Sequence, residues 1–138
     1  MITDVEIQKL VLEAKKALKN TYALKNKINY SASVLTKNGS IYSAVSYFSD
    51  TYTLTLHGEQ AALAHAAFHG EDEIIAIAVA SNEEKDKGEF TNPCGLCKQL
   101  MYESQKRSNI PMIVILSNNN DEIKQIKLDD MISFPWPA

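Results

Sequence analysis

His57-Gly58-Glu59-Gln60-Ala61-Ala62-Leu63-Ala64 and Asn92-Pro93-Cys94-Gly95-Leu96-Cys97-Lys98-Gln99 are the two stretches on which the reading of this chain turns. The first opens an alanine-rich run from His57 to His69. That composition predicts a buried helix whose small residues permit close packing, with Gly70 to end it. The second opens another helix, Cys94 to Lys106, directly after Pro93. Between them Ile74 to Ala80 is an unbroken apolar run bounded by charges, the pattern of a strand covered on both faces. Outward from this centre, residues 4–19 predict an amphipathic helix, with Val5, Ile7, Leu10, Val11, Ala14 and Leu18 at helical spacing. A polar stretch runs from Asn20 to Asn29. Ala32 to Thr36 and Ser40 to Val45 flank Lys37-Asn38-Gly39, a hairpin signal. Residues 46–56, rich in Ser, Thr and Tyr, read as an irregular connection, and Glu83 to Glu89 as a charged loop. Met112 to Leu116 is a second apolar strand, Asn118 to Asp121 a turn, and Ile123 to Leu128 a short edge strand. The order α-β-β-α-β-α-β-β implies a mixed sheet with helices on its faces.

With 138 residues, the chain is expected to form a single domain, 1–138, able to bury a core without disulfide staples. A hydrophobic fraction of 45% with 22% charged residues is that of a soluble globular protein. The net charge of −3 argues against binding long nucleic acid non-specifically, which needs basic surface, but leaves a small nucleoside open. No apolar run approaches membrane-spanning length. The opening Met-Ile-Thr-Asp-Val-Glu does not read as a signal peptide, so a cytoplasmic setting is expected. Both cysteines, Cys94 and Cys97, belong to one C-x-x-C, which in a reducing compartment signals a metal site or a redox dithiol.

Cysteines at i and i+3 in a first helical turn point the same way, and the positive helix end favours their thiolates. His57, at the start of the other helix, completes a trio of nitrogen and sulfur ligands. Three protein ligands leave a tetrahedral zinc ion one open position, where water is acidified to a pKa of roughly 7. Glu59, two residues from His57, can take that water's proton and pass it to a ring nitrogen or a leaving amine. Histidine, glutamate two on, then Pro-Cys-x-x-Cys is the zinc nucleobase deaminase signature.

On these motifs the chain resembles the cytidine deaminase family over most of its length. Ala32 to Ser43 is similar to that family's first hairpin, Asn92 to Gln99 to its second metal motif, and Leu128 to Trp136 to its terminal segment with a late aromatic. The resemblance implies a three-layer α/β/α fold on a five-stranded mixed sheet, with hydrolytic release of ammonia from a cytosine nucleoside or related aminopyrimidine. It further implies a Zn2+ cofactor and a homo-oligomer, tetrameric or dimeric, whose neighbouring subunits complete each site. In the family geometry Glu59 holds ring N3, the Gly58 N–H binds the ring carbonyl and the Asn92 carbonyl receives the exocyclic amine. Trp136 would be a lid, or else a packed terminal aromatic.

The departures are informative. Small tetrameric members usually have cysteine at His57 and arginine at Gln60. A histidine with two thiolates leaves a neutral zinc core, which makes a compensating arginine less necessary. The family's ribose-gripping Asn and Glu align with Ser46 and Phe48, and the phenylalanine near its pyrimidine with Ile28. Losing a carboxylate that accepts a sugar hydroxyl weakens selection for that hydroxyl. Blasticidin S deaminases, a sister group, also carry an aromatic there, so a modified cytosine nucleoside enters the range of substrates. Two alternatives stand beside this reading: a thioredoxin-like dithiol at Cys94 and Cys97, and a catalytically silent deaminase-like binding module. His65 and His69, two and three turns from His57, read as surface or packing histidines.

Overall fold

The structure, a computed structural model, describes residues 2–20 and 28–138. Helix α1 (Asp4–Ala17) leads into strands β1 (Tyr30–Thr36) and β2 (Ile41–Val45), helix α2 (Gly58–Phe68) and strand β3 (Ile74–Ser81). Helix α3 (Gly95–Ser108), strands β4 (Ile113–Ser117) and β5 (Ile123–Lys127) and a short 3-10 turn (Leu128–Met131) follow. The strands form one five-stranded sheet in the order β2-β1-β3-β4-β5. Only β3 and β4 run parallel, joined by the α3 crossover; the other neighbours are antiparallel. The predicted α/β class, mixed sheet and element order are all present.

Alternation along β3 separates two apolar layers. Ala76, Ala78 and Ala80 join Leu35 and Ile115 beneath the α1 residues Ile7, Leu10, Val11 and Ala14. Ile77 and Val79 point the other way, with Val34, Val114 and Leu116, against Ala62 and Ala66 of α2 and Met101 of α3. The α1 side of the sheet is thus floored by small residues. Ser31 and Ser33, buried on that same face of β1, donate their hydroxyls to the α1 carbonyls of Ala14 and Leu10. Large side chains there would hold the helix too far away for such bonds.

Several boundaries differ from the sequence reading. Helix α1 stops at Ala17, two residues before the predicted end, and Val5 is exposed on its outer face. The alanine-rich α2 buries only Gly58, Glu59, Ala62 and Ala66, a single stripe at helical spacing, because it lies in an outer layer. His57 and Cys94 stand just before their helices as caps, and α3 runs on to Ser108, where left-handed Asn109 ends it. Strands β1 and β3 are longer than predicted, while β4 and β5 are offset by one residue or less at each end. Most of the polar stretch Asn20 to Asn29 lies outside the described residues; Asn29 itself is buried. The hairpin forms through a three-residue loop with Gly39 at φ 89°, closed by Gly39 N–H to Thr36 O and Thr36 N–H to Ser40 O.

Gly70, at φ 76°, ends α2 as expected. Its N–H bonds Ala67 O and that of Glu71 bonds Ala66 O, which caps the helix in the Schellman manner. Glu71 then ties α2 to the hairpin, accepting from Thr36 Oγ1 at 2.9 Å and from the Tyr42 hydroxyl. These bonds, Tyr42's foremost, hold the Glu71 carboxyl below its ordinary range. A carboxyl depressed on folding stabilises the native state fully above its unfolded pKa, about 4.3, and loses that contribution as pH falls through the folded value. Glu71→Gln is therefore expected to lower stability more at pH 7 than at pH 3.5, measured by urea unfolding. Parallel stability profiles for the two proteins would refute this role.

Candidate metal centre and cavity

Two helix starts meet above the C-terminal half of β3. His57 caps α2, Cys94 caps α3, and Cys97 sits one turn into α3. His57 Nδ1 lies 3.3 Å from the Cys94 Sγ and 3.3 Å from the Cys97 Sγ. The three ligand atoms all fall within 4.8 Å of one another. Zinc–ligand bonds of about 2.0–2.3 Å at a tetrahedral angle place nitrogen and sulfur about 3.5 Å apart, so this donor set fits zinc. Among the described residues no fourth His, Cys, Asp or Glu joins the cluster, which leaves one position of a tetrahedron open.

The approach depends on backbone packing. A Cβ on Gly58 would stand 2.8 Å from Ser31 Cα and 3.0 Å from Tyr30 O. No side chain fits there, and α2 starts directly against β1. The His57 N–H donates to Gln60 Oε1 at 2.9 Å, which steadies the ligand-bearing residue from within its own helix. Gln60 thus has a structural task that the sequence comparison of charges did not reveal.

Glu59, only 6% exposed, lies beside Cys97. Burial pushes its carboxyl above the ordinary range, although a bond with Cys97 works the other way. Burial, followed by the Glu59 charge, also drives the Cys97 thiol upward. At buried Cys97 desolvation opposes the pull of the helix end on the thiolate. A bound dication reverses that balance, since it stabilises both anions directly.

A cavity of about 370 Å³ opens over the trio. Its walls bring together His57, Glu59, Cys94, Ser46, Phe48 and Asn92, all singled out in the sequence. Cys97 is buried below it. Ile28 is 48% exposed and does not line the cavity; Tyr30, two residues on, does. Trp136 is 77% exposed and also lies outside the cavity wall. The reason is that the tail is held by its backbone: Gln99 Nε2 donates to Trp136 O and Tyr102 to Pro137 O, leaving the indole outward. Thr55, Val79, Ala80 and Thr91 line the cavity too, and sequence reasoning missed them. Val79 and Ala80 had one available signal, their place at the carboxyl end of a central strand beside a parallel neighbour. His65 and His69 pack on Tyr42 away from the trio, as expected.

Three zinc ligands from two helix starts, with a buried carboxylate two residues from the histidine, define the zinc-dependent nucleobase deaminases as a class. Residues 4–114 match the cytidine and deoxycytidylate deaminase zinc-binding region. The chain belongs to this family and is a hydrolytic deaminase. It is 29% identical over 121 residues to cytidine deaminase from Sporosarcina psychrophila, covering 88% of this chain and 84% of that protein. It is 28% identical over 131 residues to cytidine deaminase from Halalkalibacterium halodurans, covering 95% and 94%. The crystal structure of cytidine deaminase from Burkholderia pseudomallei superposes with a TM-score of 0.82 at 25% identity, covering 98% of this chain and all of that one (100%). That from Mycobacterium tuberculosis shares the fold at a TM-score of 0.76 and 19% identity, covering 99% and 100%. Family membership displaces the thioredoxin-like dithiol reading.

Gly58→Ala is expected to destabilise the protein by about 1–3 kcal/mol through overpacking against β1. It should also loosen zinc, because His57 and Glu59 flank the displaced backbone. Urea midpoints and zinc release to a chromophoric chelator measure both effects. Unchanged values would refute the close-approach argument.

Proposed function

We propose that the protein deaminates a cytosine nucleoside or related aminopyrimidine. Cytidine or deoxycytidine would give uridine or deoxyuridine plus ammonia; a modified cytosine nucleoside such as blasticidin S belongs to the same range. The observation that carries this reading is the buried Glu59 carboxylate in one cavity with His57 and Cys94. The relatives named cytidine deaminase support the substrate class.

In this reading His57, Cys94 and Cys97 hold the zinc. When bound, zinc supplies the positive charge that makes water nucleophilic near neutral pH. Glu59 does the proton work: it takes a proton from the attacking water and delivers it to ring N3. It then takes the second proton from the hydroxyl formed at C4 and hands it to the amine, which leaves as ammonia while the C4 carbonyl forms. Burial raises the proton affinity of this carboxyl while a nearby cation lowers it, and the two opposing effects suit a group that must accept as well as donate. The Gly58 N–H, at the first turn of α2, binds the ring carbonyl. The Asn92 carbonyl, just before α3, receives the exocyclic amine. Ser46 and Phe48 line the same cavity, and Ile28 and Trp136, exposed outside it, reach substrate through a neighbouring subunit.

Assembly belongs to the same proposal. Phe134 and Trp136 are 99% and 77% exposed on a tail pinned to α3, as expected of side chains that a second subunit covers. We assign the protein a homotetramer, a place in pyrimidine salvage and a cytoplasmic location, with the whole chain 1–138 acting as one deaminase domain. Among the described residues no helix is long and apolar enough to cross a membrane.

Glu59→Gln is expected to keep about one zinc per chain and to lower kcat by about 10²–10⁴-fold, the usual weight of general acid–base catalysis. Zinc loss with persisting ammonia release would show the role to be misassigned. Light scattering on the purified protein should give the mass of a tetramer; a monomer would overturn the assembly.

A further inference from the structure

Beyond the metal end, every polar side chain that lines the cavity among the described residues already has a partner within the protein. Ser46, 3% exposed, donates its hydroxyl to Tyr30 O at 3.0 Å. Thr55 Oγ1 accepts the Ser49 N–H at 3.0 Å. Thr91 and Ser81 share a hydroxyl bond of 2.8 Å. Asn92 Nδ2 donates to Phe90 O at 3.2 Å, and the Tyr30 hydroxyl lies 3.5 Å from Glu83 Oε2. The remaining wall is Phe48, Val79 and Ala80. Beyond the metal residues, the wall that the described residues supply is therefore apolar or hydrogen-bonded within the protein.

A site built to bind a substrate hydroxyl rejects the analogue lacking it by about 10⁴–10⁵-fold, because its own buried polar groups are left unpaired. Here each polar side chain that this chain's described residues place on the wall keeps a protein partner when a sugar hydroxyl is removed. About 370 Å³ sits at the small end of ligand cavities, roughly 300–1,000 Å³, which suits a pyrimidine ring with a compact N1 group. Resting on the deaminase reading above, we infer that this pocket selects its substrate by the aminopyrimidine ring and accepts the N1 group by shape alone. The substrate class is then N1-substituted cytosines irrespective of ribose hydroxyls: ribo-, deoxy- and dideoxynucleosides, and simple N1-alkyl cytosines.

The test is kcat/KM for the zinc-loaded full chain on cytidine, 2′-deoxycytidine, 2′,3′-dideoxycytidine and 1-methylcytosine, followed by ultraviolet absorbance and ammonia release. All four values should lie within about tenfold of one another, against the 10⁴-fold losses of a hydroxyl-reading site. Ser46→Ala should leave the cytidine-to-dideoxycytidine ratio unchanged, because that hydroxyl faces Tyr30 O. Turnover of cytidine with a drop larger than tenfold for the dideoxy compound, or a ratio that moves in Ser46→Ala, overturns the inference and spares the deaminase reading. Turnover of none of the four overturns both.

Discussion

Helix α2 begins where a backbone touches a backbone. Gly58 lies so close to Ser31 and Tyr30 of β1 that a methyl group has no room, and this contact sets the position of everything around it. His57 on one side becomes the cap of α2 and reaches the two sulfurs of α3. Glu59 on the other side turns inward beside Cys97. A glycine is needed there for close approach. The metal trio, the carboxylate and the cavity floor all follow from one close approach.

What gathers there is electrostatically incomplete without a cation. A buried carboxylate and a buried thiol lie in contact; burial raises the proton affinity of both, and the carboxylate raises that of the thiol further. Burying anions without compensation is unfavourable, and a divalent metal supplies the compensation. Folding and metal binding are coupled in such a site, since the ligands must shed protons to bind. Gln60 has its own task beside this centre. Its side-chain amide accepts the His57 N–H and anchors the backbone of that residue.

The rest of the fold is built to hold these helix starts still. The small-residue face of the sheet brings α1 near enough for Ser31 and Ser33 to bond its carbonyls, which backs β1 from behind. On the opposite face the larger residues of β1, β3 and β4 support α2 and α3 together. The tail is tied by its carbonyls to Gln99, Tyr102 and Lys106 on the outer side of α3, and presents its aromatic rings outward.

Much of this was legible in the residues. The order of elements, the central apolar strand, the hairpin at Asn38-Gly39 and the two helix starts follow from periodicity and turn chemistry, which are local. The trio His57, Cys94 and Cys97 with Glu59 was legible because zinc chemistry demands few residue types at fixed spacing, and because that pattern resembles a known family. The cavity wall was not. Whether Ile28 or Tyr30 lines the cavity depends on the path of the segment that enters β1, since residues two apart share a face of an extended strand and periodicity does not separate them. That Ser46 turns its hydroxyl to Tyr30 O, that α2 buries one stripe only, and that Trp136 points outward are properties of packing between distant segments. The sequence by itself determined the chemistry at the reacting end; the tertiary structure alone decided which groups remain for the rest of the substrate, because hydrogen-bond partners are chosen only when the chain is folded.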